Sequence, residues 1–170
     1  MFVANYLFFF MKNSIFFTVL CLGLFLNAQK KLPNTSLKTL SGSSVNLSEL
    51  ANNNELFILS LWATWCVPCK NELDAVSDVY EDWVTETGVT YFAVSIDDSR
   101  TAKRVKPMVN GKDWAFEILL DENSDLKRAF GVSIVPYTII VKSSEIVYTH
   151  TGYTAGFEDE LYAKLLTFVD

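Results

Sequence analysis

Phe57-Ile58-Leu59-Ser60-Leu61-Trp62 runs directly into Ala63-Thr64-Trp65-Cys66-Val67-Pro68-Cys69-Lys70. The first six residues are nearly all apolar, the pattern of a strand covered on both faces of a sheet. Beyond the cysteines, Leu73, Val76, Tyr80 and Trp83 recur at steps of three and four. Asp74, Asp78, Glu81 and Asp82 fall on other faces, so the segment is an amphipathic helix, ended by Gly88. The cysteines therefore lie where a buried strand hands over to a helix. A thiol in a first helical turn faces unpaired backbone N–H groups and the positive end of the dipole, and both favour thiolate. Pro68 is tolerated there because first-turn N–H groups have no helical partner. Cys66 is thus the predicted nucleophile. Cys69 is the predicted resolving thiol, close enough to attack a mixed disulfide at Cys66 and kept protonated on the buried side of the helix.

A C-x-x-C pair by itself fits an inert disulfide or two buried thiols equally well, and the strand-then-helix context selects the redox reading. A loop this small staples no fold. Zinc would need a second ligand pair; His150 is the only histidine and Cys21 the only other cysteine. No metal and no cofactor are expected.

The chain has 170 residues, enough for one domain with its own core. Its 14 Lys plus Arg against 20 Asp plus Glu give a net charge of -6, which argues against a nucleic-acid partner. Lys12 precedes an uncharged run from Ile15 to Leu26, followed by Asn27-Ala28-Gln29, the layout of a secretory signal. The run is too short to span a bilayer, for which roughly 20 residues are needed. The expected organisation is a signal peptide at 1–28, with Met11 as an alternative start, and a single domain at 29–170. An uncleaved membrane anchor is the competing reading of the N-terminus. Cleavage would remove Cys21 and leave Cys66 and Cys69 to pair only with each other, as an oxidising compartment permits.

Around the decisive stretch, residues 29–55 suggest a small hairpin turning at Gly42, or a loose extension. Val89 to Ile96 reads as a second buried strand. Asp97-Asp98-Ser99 offers caps for a helix from Arg100 to about Val109, strained by Pro107. Phe116 to Leu120 is a short strand and Asp125 to Phe130 a brief helix closed by Gly131. Tyr137 to Val141 and Glu145 to His150 form a hairpin across Ser143-Ser144, and a last helix covers Phe157 to Phe168. The predicted class is α/β, a central mixed sheet flanked by helices.

The segment Trp62-Ala63-Thr64-Trp65-Cys66-Val67-Pro68-Cys69-Lys70 resembles the active site of the thioredoxin superfamily. Val94-Ser95-Ile96-Asp97, Val135-Pro136-Tyr137-Thr138 and the export signal narrow this to the exported TlpA/ResA-like thiol-disulfide oxidoreductases, over roughly residues 31 to 169. The resemblance implies a thioredoxin-like fold with an N-terminal β-hairpin extension. It implies that Pro136 is cis and that the backbone of Val135 pairs with an extended client, beside Trp65 as a docking surface. Glu72 matches an acid that tunes proton chemistry near the disulfide; a solvated helix-start acid is the plainer alternative. Val67 and Pro68, with no histidine between the cysteines, resemble reducing members. The implied role is a monomeric reductase in the periplasm or cell envelope. A membrane thiol-electron transporter would recharge it, and its clients would be oxidised exported proteins, including apocytochromes.

Two departures matter. Ser60 stands where thioredoxins carry a buried Asp, and Asp74 where many relatives have a helix-kinking proline. A thiol peroxidase is the rival enzyme, but it needs a Thr three residues and a Pro seven residues before its cysteine, where this chain has Ala63 and Leu59. A non-catalytic envelope binding module is the rival of a different class, built on Asp97-Asp98, an exposed Trp114 and Gly152-Tyr153.

Overall fold

The computed structural model describes residues 31–169, so the export segment expected at 1–28, with Met11 and Cys21, lies outside the described residues. Strand β3 (Leu56–Trp62) is buried at all seven positions, as its apolar run requires. It lies between β4 (Thr90–Ser95), which is parallel to it, and β6 (Tyr137–Lys142), which is antiparallel. The parallel pair needs a long crossover, and α2 (Val67–Thr87) supplies it, closing on Gly88 at φ 66°. Beyond β4 lies β5 (Glu117–Leu120), and beyond β6 lies β7 (Glu145–Thr151), reached through Ser143 and Ser144, both at positive φ. That is the backbone twist a two-residue hairpin turn prefers.

The N-terminal hairpin is present and completes the sheet. Strands β1 (Ser36–Thr39) and β2 (Ser44–Asn46) turn at Gly42, φ 91°, and β1 pairs antiparallel with β5. The strand order is β2-β1-β5-β4-β3-β6-β7. Helix α1 (Leu47–Asn53) follows at once, a helix where the sequence suggested a loose extension. Its signal was there to read: Asn46 accepts the Ser48 N–H, and Glu49 reaches back to the Asn46 N–H, a reciprocal cap.

The expected helix from Arg100 to Val109 is broken into a 3-10 turn (Ala102–Arg104) and a short α3 (Val105–Val109). Pro107 has no N–H to continue the ladder, and neither segment has a side-chain cap. Helix α4 (Asp125–Phe130) closes on Gly131 as expected, and α5 (Phe157–Leu166) ends ahead of Phe168. Helix α2 packs against α5, where Trp83 stacks on Tyr162 with ring centres 5.8 Å apart.

Asp74 does not interrupt α2. Its carboxylate takes an ion pair from Lys112 at 2.6 Å and the Trp114 indole N–H at 2.9 Å. Trp114 is therefore not the exposed ring the sequence suggested; it is half-buried, edge-on to the fully buried Trp62 at 5.4 Å.

Leu37 is 1% exposed and is the residue through which β1 enters the core. Leu37→Ala should lower unfolding free energy by about 2–5 kcal/mol, measured by urea denaturation, with the m-value kept.

Candidate active site

Cys66 and Cys69 are joined by a disulfide, with Cα atoms 5.4 Å apart. Cys66 occupies the cap position of α2 in an extended conformation, and its Sγ accepts the Cys69 N–H at 3.2 Å. The sulfur thus takes one of the amide donors that a helix start leaves unpaired. Pro68 falls in the same first turn, where its missing N–H costs nothing. The two residues differ in their access to solvent: Cys66 is 6% exposed and Cys69 fully buried.

The Val135–Pro136 peptide is cis, and the Val135 carbonyl oxygen lies 3.7 Å from Cys66 Sγ. Three large apolar side chains project from this end of the fold: Trp65 at 58%, Val67 at 61% and Ile134 at 63% exposed. Ile134 was not anticipated from the sequence, although it immediately precedes Val135.

Glu72 lies one helical turn beyond Cys69 and is fully buried, which rules out the solvated-acid alternative. Its Oε1 accepts hydrogen bonds from Ser60 at 2.8 Å, Thr138 at 3.0 Å and Tyr91 at 3.3 Å. Ser60 and Thr138 are register partners across β3 and β6, so the cradle spans three strands with β4. Oε2 has no partner. Burial pushes the carboxyl up to about 7, and the three hydroxyl bonds offset part of that rise. Ser60 is therefore not an empty substitute for a strand carboxylate; it donates to one carried on the helix.

A second buried carboxylate lies at the other side of the turn. Asp97, just beyond β4, accepts the Thr64 N–H at 2.8 Å, the Thr64 hydroxyl at 2.7 Å and the Ser95 hydroxyl at 2.9 Å. The sequence suggested a helix cap or part of a binding surface here; Asp97 is 1% exposed and its carboxylate is hydrogen-bonded to Thr64 and Ser95. Its neighbour Asp98 turns outward, pairing with Arg100 at 2.6 Å.

Sequence reasoning located Cys66, Cys69, Glu72, Trp65, Val67, Pro68, Val135 and Pro136, and all of them lie at or beside this end of β3. It did not assign Thr64, Tyr91 or Thr138 to the site, and it read Asp97 only as a cap or a binding-surface residue. A usable signal existed, because a hydroxyl or carboxyl within an apolar strand must find a partner once buried. Among the described residues there is no cluster of His, Cys, Asp and Glu able to hold a metal.

A cysteine pair at the start of the helix that follows a central strand is the working end of a thioredoxin-like protein, and comparisons with known proteins bear on which kind. Residues 28–150 match the model of the AhpC/TSA family. Thiol-disulfide oxidoreductase ResA from Halalkalibacterium halodurans is 30% identical over 143 residues, covering 84% of this chain and 77% of that protein. The solution structure of a thioredoxin-like protein from Porphyromonas gingivalis is 47% identical with a TM-score of 0.72, covering 81% of this chain and 91% of that one. StoA from Bacillus subtilis, at 22% identity and TM-score 0.63 over 78% of this chain and 96% of its own, shares the fold. The chain belongs to the AhpC/TSA family and, within it, to the ResA-like thiol-disulfide oxidoreductases, extracytoplasmic enzymes of the thioredoxin superfamily. No helix among the described residues is long and apolar enough to cross a membrane.

The raised Glu72 value makes folding pH-dependent. The unfolded carboxyl titrates near 4.5 and the folded one near 7, so the native state holds this proton more tightly. The resulting stability is complete below about pH 4.5 and is lost as pH rises through 7. Glu72→Gln should abolish that loss, flattening urea-derived stability between pH 5 and 8 by a difference on the order of 3 kcal/mol in the oxidised protein.

Proposed function

We propose that this oxidoreductase works as a reductase of protein disulfides, with Cys66 attacking and Cys69 resolving. The observation that carries the reading is the asymmetry of the pair: Cys66, whose sulfur accepts a helix-start N–H and which keeps slight exposure, beside a fully buried Cys69 with an acid a turn away. The Cys66 thiolate attacks a client disulfide, forming a mixed disulfide and releasing one client thiolate. Cys69 then loses its proton and attacks Cys66 Sγ, which releases the second client thiolate and leaves the Cys66–Cys69 disulfide. Two electrons pass to the client.

Glu72 is the proposed acceptor of the Cys69 proton. A carboxyl near 7 is present in both protonation states at neutral pH, and its Oε2 is uncommitted. Trp65, Val67 and Ile134 form an apolar rim for an extended client segment, which would pair with the backbone of Val135 ahead of the cis-Pro136. Val67 and Pro68 between the cysteines favour a reducing couple.

In this reading the protein is a monomer exported by residues 1–28 to the periplasm or cell envelope, or held there by them as an anchor. It needs no cofactor, and a membrane thiol-electron transporter restores its dithiol. Its clients are oxidised exported proteins, apocytochromes among them. The peroxidase alternative is disfavoured because the positions where it needs Thr and Pro hold the buried apolar residues Ala63 and Leu59, and the neighbouring Thr64 hydroxyl is engaged by Asp97.

In the reduced protein, iodoacetamide at neutral pH should carboxymethylate Cys66 first; prior labelling of Cys69 would reverse the two roles. Equilibration with glutathione buffers should place the couple near that of thioredoxin, about -270 mV, and a value around -120 mV would make it an oxidant instead. Insulin reduction by dithiothreitol should be accelerated, whereas a binding module would leave the background rate unchanged.

A further inference from the structure

We propose that Asp97 is a positioning residue for the cysteine pair, and that its buried negative charge holds the couple on the reducing side. The proposal deepens the reading above and rests on Cys66 being the attacking thiol.

Asp97 lies at the end of β4, yet its side chain is spent on the neighbouring connection. Both carboxylate oxygens are used: Oδ1 takes the Thr64 hydroxyl, and Oδ2 takes the Thr64 N–H and the Ser95 hydroxyl. Every contact donates to the carboxylate, which is the inventory of the ionised form. No Lys or Arg pairs with it among the described residues, so the charge is held by dipoles and is not cancelled by a cation.

Thr64 is two residues before Cys66, a reach of about 7 Å of chain. The turn between them is closed by the Cys66 N–H donating to the Ala63 carbonyl at 3.0 Å. Asp97 therefore does two things at Thr64. It fixes the turn that presents Cys66, and it places an uncancelled anion on the connection that leads into that residue.

The half-reaction takes a neutral disulfide, two electrons and one proton to a Cys66 thiolate and a Cys69 thiol. Only the reduced side carries charge at Cys66. An anion held two residues away along the chain opposes the thiolate, raises its titration point and disfavours the dithiol relative to the disulfide. The helix start and the Cys69 N–H act in the opposite sense.

The other titratable and charged groups around this end include Cys69, Lys70 and Glu72 on α2, the paired Asp98 and Arg100 after β4, the buried Asp121 whose N–H donates to the Ser95 carbonyl, and Lys127 on α4. Asp98, Arg100 and Lys127 line the depression beside Trp65. Asp97 differs from Asp98, Arg100 and Lys127 in being buried, and it is hydrogen-bonded directly to the chain leading into Cys66.

The test compares the parent, Asp97→Asn and Thr64→Val in the full chain. Asp97→Asn keeps the shape and removes the charge; Thr64→Val keeps the charge and removes the hydroxyl bond. For Asp97→Asn, the pH profile of Cys66 alkylation should move down by about half a unit to one unit. The equilibrium constant for its reduction by glutathione at pH 8 should rise about three- to tenfold, which is about 15–30 mV less reducing. Thr64→Val should lower Tm while leaving both readouts at parental values.

An unchanged alkylation profile and glutathione equilibrium in Asp97→Asn would reduce Asp97 to a structural clamp and overturn the proposal. So would equal shifts in both variants, which would show a distorted turn and no charge effect. If Asp97→Asn does not fold, the parent decides: the 13C carboxyl resonance of Asp97 should step with the Cys66 titration in the reduced protein and not in the oxidised one. Absence of that step also overturns the proposal. The alkylation order in the parent tests the role of Cys66 separately.

Discussion

Burial of β3 on both faces is the constraint from which the rest follows. A strand with no exposed position can carry a polar side chain only if the surrounding elements satisfy it, and β3 carries Ser60. The strand also ends inside the molecule, so the chain leaves it through a turn that must find its hydrogen-bond partners nearby. Ser60 and Thr64, four residues apart, mark those two demands, and each is met by a carboxylate from another element.

Those two carboxylates solve the same problem in different ways. Among the described residues, neither Glu72 nor Asp97 is paired with a base; each is held by hydroxyl or amide donors. Glu72 has all three of its donors on one oxygen and titrates near neutrality, whereas Asp97 uses both oxygens. The result is a cysteine pair with one buried acid nearby that titrates near neutrality and one that holds the connecting chain. A cation close to either would keep the carboxylate ionised and would itself stabilise a thiolate.

What the sequence disclosed followed the strength of its periodicity. β3, α2, β4 and the β6–β7 hairpin are long or strongly patterned, and all were legible with boundaries close to those observed. The α1 helix was missed because seven residues show barely two helical turns, although its cap was spelled out by Asn46 and Glu49. The Arg100–Val109 helix was over-read, because propensity could not show that Pro107 would break the ladder into a 3-10 turn and a short helix. At the site, residues close in sequence to the cysteines were found and those brought there by pairing were not. Thr138 is 69 residues from Cys69, and nothing local marks it as part of the Glu72 cradle except that a hydroxyl sits in an apolar strand.

The hairpin at the N-terminus has a consequence for how copies of this chain meet one another. It moves the outer boundary of the sheet from β5 to β2, a strand of only three residues followed immediately by a capped helix. An exposed row of backbone donors and acceptors is a template for strand addition by another molecule, and this row is too brief to offer more than a few bonds. At the opposite boundary β7 is longer, but its ladder slips at Ile140 and Val141 and leaves a less regular template. Among the described residues, strand length at one boundary and register at the other thus limit how many backbone bonds either edge can offer to an added strand.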